Sequence, residues 1–89
     1  MHQSEGFILR KTAGLTVILP VGEASVRFPG MISVNETGEF LWELLKTAQT
    51  AETLAEHLTR EYEVEPEQAR QDIEAFLEPL RKAGAVTED

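Results

Sequence analysis

Eighty-nine residues with a formal net charge of −8, 42% apolar and 27% charged side chains make one small domain of ordinary globular composition. A chain of this size buries roughly 60–65% of the surface it exposes when unfolded, enough for a single thin core. The absence of cysteine excludes a disulfide framework and a thiolate zinc site, and the most apolar run, Leu15 to Leu19, ends at Pro20, far short of a membrane span. Nothing reads as a signal peptide, so a cytoplasmic protein without membrane association is expected.

Met1 to Gly6 is polar and reads as a disordered start, leaving residues 7–89 as the single domain. Phe7–Thr12 reads as a strand, Ala13-Gly14 as a turn, and Leu15–Pro20, rich in β-branched residues, as the hairpin partner. Val21 to Ala24 is an irregular link. Ser25–Phe28 then alternates as a strand would, with Val26 and Phe28 to one side, and Pro29-Gly30 breaks the run. Met31–Val34 is the last predicted strand, with Met31 and Ser33 on one face and Ile32 and Val34 on the other.

The changeover that follows is the most specific local signal. Asn35 is a strong N-cap residue because its side-chain oxygen accepts a bond from an otherwise unpaired amide of the first turn. Glu36 and Glu39 place negative charge at the positive end of the helix dipole, and Phe40, Leu41, Leu44 and Leu45 form a buried stripe over Glu36–Leu45. Trp42 lies off that stripe and should cover a sheet face or a seam, and Gly38 marks a close approach to the strands. Helix two is predicted over Ala51–Tyr62, burying Leu54, Ala55, Leu58 and Tyr62. Thr50 and Thr53 are not expected to form a capping box. Helix three opens at Pro66, where the missing amide costs nothing, and stops at Gly84. Ile73, Leu77 and Leu80 trace its core stripe. Ala69, Asp72, Phe76 and Pro79 trace a neighbouring one, wider than a single contact needs, which is either more core or the wall of a groove. Pro79 should bend or loosen the helix near Ala75.

Three or four short antiparallel strands followed by three helices make an α+β domain, and the short links between helices suggest a winged helix-turn-helix. Charge argues against duplex binding. Residues 1–34 hold Arg10, Lys11 and Arg27 against Glu5 and Glu23, whereas residues 35–89 hold five basic and fourteen acidic side chains. The end of the last helix that would enter a groove reads Glu65-Pro-Glu-Gln, so a phosphate backbone would be repelled. No nucleic-acid partner is expected.

Val34-Asn-Glu-Thr-Gly-Glu-Phe-Leu-Trp-Glu-Leu-Leu45, then Leu54-Ala-Glu-His-Leu58, then Asp72-Ile73 with Phe76-Leu77, Leu80 and Gly84-Ala-Val86, resembles the PqqD-like family, the recognition elements for ribosomally made, post-translationally modified peptides. The resemblance runs from about Phe7 to the end. Val34 replaces the usual Leu before the Asn, and Thr47-Ala-Gln replaces a common Asp-Gly. The arginine-rich stretch of members acting in pyrroloquinoline quinone synthesis is missing, which points away from that pathway. The resemblance implies a non-catalytic peptide chaperone that adds the leader of a precursor peptide as an extra strand. The leader then packs against the last helix and is presented to a modifying enzyme, often a radical S-adenosylmethionine protein. It carries main-chain pairing onto Met31, Ile32, Ser33 and Val34, and the helix side onto Ala69, Asp72, Ile73 and Phe76.

The residues themselves favour the same site. A short strand with an open edge offers unpaired amides and carbonyls to an extended peptide. The acidic helical half favours basic residues in that peptide, and Asp72 beside an apolar groove is placed to pair with a Lys or Arg. Affinity should be modest, because ordering a disordered leader offsets on the order of 2–5 kcal/mol of the gross interaction. Two histidines, no cysteine and no glycine-rich phosphate loop leave no catalytic constellation, and neither cofactor nor metal is expected. The principal rival is a homodimeric interaction module that pairs the same edge with itself. A winged-helix DNA regulator is the weaker one.

Overall fold

The computed structural model of the chain describes residues 1–28 and 30–88. A three-stranded antiparallel sheet is built from β2 (Phe7–Thr12), β3 (Leu15–Pro20) and β4 (Ile32–Val34), in the order β2-β3-β4. The hairpin pairs Phe7 with Pro20 through Thr12 with Leu15, and β4 lies against β3 with Ile32 opposite Ile18 and Val34 opposite Thr16. Residues 24–27 (Ala24–Arg27) form a four-residue helix, α1, and three longer helices follow: α2 (Glu36–Leu44), α3 (Ala51–Tyr62) and α4 (Pro66–Ala83). A separate two-stranded pair joins β1 (His2–Gln3) to β5 (Val86–Thr87). The architecture is therefore α+β.

Three expectations are corrected. The start of the chain is not a disordered tail. β1 pairs antiparallel with β5, the Gln3 amide donates to the Leu45 carbonyl at 2.8 Å, and the Gln3 side-chain amide donates to the Trp42 carbonyl at 2.7 Å. Those carbonyls close α2, a helix end that leaves acceptors without intrahelical donors. Met1 is itself buried. The alternation at Ser25–Phe28 is not a strand: Ala24 and Phe28, four apart, turn inward as a helical turn requires, and Val26 is 82% exposed. Four residues are too few to separate a period of 2 from one of 3.6. The predicted break at Pro29-Gly30 falls outside the described residues at Pro29.

The third correction is at the start of α3. Thr53 N–H donates to the Thr50 hydroxyl at 3.1 Å while the Thr53 hydroxyl accepts from the Thr50 amide at 2.9 Å. A threonine hydroxyl thus does what Glu or Gln does in the usual reciprocal box. α4 ends as expected at Gly84, whose φ of 77° is the left-handed cap, and the Ala85 amide returns to the Leu80 carbonyl at 2.8 Å.

The core lies where the helical stripes meet the sheet. Leu54 and Leu58 of α3 face Ala69, Ile73, Leu77 and Leu80 of α4, all within 1% of complete burial, and Ile18 of β3 is fully buried. Leu41, Trp42 and Leu45 join α2 to this cluster, with Trp42 2% exposed within it. Val86 closes the core from the last strand. Burial of this kind supplies roughly 25 cal/mol per Å² of apolar surface and holds α4 in place for what lies beside it.

Candidate functional site

The turn from β4 into α2 sets the site. The Asn35 side-chain oxygen accepts from the Gly38 amide at 2.8 Å, which starts the helix with no spare residues after the strand. Gly38 is the second requirement: a Cβ there would stand 2.9 Å from the Val34 Cβ, closer than side chains pack. Glycine lets the first turn of α2 press against β4, so the strand and helix share one wall.

Across from that wall runs α4, and between them opens a cavity of about 340 Å³. β4 contributes Ile32, Ser33 and Val34, α2 with its cap contributes Asn35, Thr37, Gly38 and Leu41, and α4 contributes Asp72, Ala75, Phe76 and Pro79. The last four are at i, i+3, i+4 and i+7, one face of a helix. Within the sheet, β4 pairs with β3 on one side, and among the described residues no strand pairs with its other margin. That margin carries main-chain donors and acceptors in the spacing an extended peptide matches.

Five of the eight residues expected at the site meet around this cavity: Ile32, Ser33, Val34, Asp72 and Phe76. Met31 precedes the strand and is 64% exposed, outside the lining. Ala69 and Ile73 are corrected, being 0% and 1% exposed in the core against α3, where their side chains reach no guest. The sequence pattern left out Thr37, Leu41 and Ala75. Asn35 and Gly38 were marked only as a cap and a close approach, and Pro79 was traced to the stripe read as either core or groove wall.

The lining is mixed in chemistry. Phe76, Ile32, Val34 and Leu41 are apolar, and among the described residues Asp72 is the one ionisable side chain in it. Its Oδ1 accepts from the Gln68 side-chain Nε2 at 2.8 Å. Just outside, Lys11 of β2 reaches Glu39 of α2 at 2.7 Å, and that hydrogen bond and charge raise the Lys11 ammonium above its ordinary value. A larger cleft, about 890 Å³, lies by β1 and the end of α4 with Arg27, Arg81 and Lys82 in its lining. Arg81 is held there by Glu74 and Glu88, and Lys82 by Glu78, so much of its charge is already matched. Among the described residues no three His, Asp or Glu side chains are grouped to hold a metal ion. No helix among them is long and apolar enough to cross a membrane.

Residues 16–86 match the family described as "Coenzyme PQQ synthesis protein D (PqqD)". Two solved structures share the fold. One is "TbiB1 in Complex with the TbiA(beta) Leader Peptide", with a TM-score of 0.73 at 19% identity over 100% of both chains. The other is "Lasso peptide synthetase B1 complexed with the leader peptide", with a TM-score of 0.71 at 24% identity over 98% of this chain and 96% of that one. No curated protein sequence matches.

Proposed function

The chain belongs to the PqqD family, and from that membership we propose a non-catalytic peptide-binding protein that takes the leader of a ribosomally made precursor as a fourth strand on β4. The observation that carries this reading is the unpaired margin of β4 facing a cavity walled by α4. Main-chain bonds to Ile32, Ser33 and Val34 would supply register, and the apolar wall around Phe76 would receive alternate side chains of the guest. Both structural neighbours are complexes with leader peptides, which supports the reading for a chain of the same fold. The bound leader is then presented to a modifying enzyme of the cytoplasm, in this reading a radical S-adenosylmethionine protein.

The test is titration of a labelled precursor leader encoded beside the gene. Phe76→Ala and Asp72→Lys are expected to weaken it at least tenfold while the circular dichroism of the fold persists. Unchanged affinity in both variants would contradict the groove assignment. Light scattering separates the homodimer that could occupy the same margin: if copies pair there, added leader lowers the apparent mass.

A further inference from the structure

The acidic residues of α4 are not equivalent. Glu67 lies 3.7 Å from Arg70, Glu74 lies 3.3 Å from Arg81, and Glu78 lies 3.3 Å from Lys82. Asp72, the remaining acid of the helix, has no cation within ion-pair distance among the described residues, although it is half-buried and lines the cavity. Among the described residues no Lys, Arg or His lines that cavity. A carboxylate left without a counter-charge on a wall whose other members are largely apolar is poorly matched when the groove is empty.

One turn further on lies a second acceptor, the carbonyl of Ala75. Proline has no amide hydrogen, so the Ala75 carbonyl lacks the i+4 donor that the helix would otherwise give it. Ala75 and Pro79 both line the cavity, on the same helical face as Asp72. Phe76, beside them, supplies a flat apolar surface along which a long aliphatic stem can lie.

Building on the peptide-groove reading above, we propose that Asp72 and the Ala75 carbonyl freed by Pro79 form a subsite for a cationic side chain of the guest peptide, with arginine favoured over lysine. The planar guanidinium presents several donors in a fixed fork and reaches two acceptors at once, while its flat face stacks on an aromatic ring. An ammonium satisfies the charge but matches the pair less well.

The experiment is a selection from a displayed library of fully randomised twelve-residue peptides against the intact chain, with a Phe76→Ser counter-selection to retain groove binders. Arginine is expected to be enriched at one position flanked by apolar residues two places away. For a selected peptide, Asp72→Asn should reduce affinity about tenfold, the scale of one charge-assisted hydrogen bond in a partly solvated site. Pro79→Ala, which restores the helix bond, should reduce it about threefold. Replacing the peptide's arginine by glutamine should make both variants bind like the unmodified protein. Because the chain keeps fifteen other acidic side chains, general attraction for basic peptides survives Asp72→Asn and does not mimic the effect. Groove binders with no basic preference, or a preference untouched by Asp72→Asn, would overturn the subsite and leave the groove standing. An effect of Asp72→Asn without one of Pro79→Ala would remove the carbonyl from it. If no selected peptide depends on Phe76, the groove reading fails and the subsite with it.

Discussion

One helix, α4, presents two adjacent faces in opposite surroundings, one buried in the core and one lining a cavity. Toward α3 it turns Ala69, Ile73, Leu77 and Leu80, none more than 1% exposed, with every neighbour supplied by the chain itself. Displaced by about one residue around the axis it turns Asp72, Ala75, Phe76 and Pro79 toward β4 across an open cavity. The closed face anchors the helix, and the other leaves a carboxylate without a counter-charge, a carbonyl without its i+4 donor and a ring only half covered. Opposite lies the margin of β4 that no strand among the described residues pairs with, and on the proposed reading this second face is a place for another chain rather than a packing defect.

Substitutions on the two faces should therefore separate stability from binding. Ile73→Ala on the closed face is expected to cost about 3–4 kcal/mol in chemical denaturation, since the lost contacts leave a cavity that cannot collapse. Phe76→Ala on the open face, where the ring is half-buried, should cost less than half of that yet abolish measurable peptide binding. Gly38→Ala tests the shared wall: the added Cβ collides with Val34, and an overpacking penalty of about 1–3 kcal/mol is offset in part by better helix propensity. A net loss of stability with weakened peptide binding is expected. Asn35→Ala should cost about 1 kcal/mol through loss of the cap alone.

The smallest effect belongs to the surface pair. Lys11→Met is expected to leave the melting temperature at neutral pH unchanged within error, because Lys11 is well exposed and solvent screens its bond to Glu39. Whatever it contributes has a defined sign. The folded-state ammonium is raised, so the contribution is fully present below the ordinary value of 10.5 and disappears as pH climbs through the folded value.

Much of this division is legible in the chain. Pro66 and Gly84 mark α4 at Pro66–Ala83 and leave little choice of boundary, whereas α3 at Ala51–Tyr62 is marked by its apolar spacing and not by its threonine cap, which was not expected. The wide apolar stripe of the last helix is visible too, but not where it divides. Ala69 and Ile73 were expected beside the guest and lie in the core, since only the position of α3 decides which part of the stripe it covers. β1 and β5 have two residues each, too few for any periodicity, and they form because Gln3 finds the carbonyls at the end of α2. Thr37 and Leu41 enter the lining through the tight β4–α2 turn. Gly38 announces that turn, but its consequence appears only in three dimensions.

The most direct measurement is amide hydrogen exchange of the chain with and without a bound leader. Added peptide is expected to slow exchange among Ile32, Ser33 and Val34 at those amides that point away from β3, with no comparable change in the outer strand β2. Protection elsewhere with β4 unaltered, at a peptide concentration that saturates binding, would contradict strand addition at this margin.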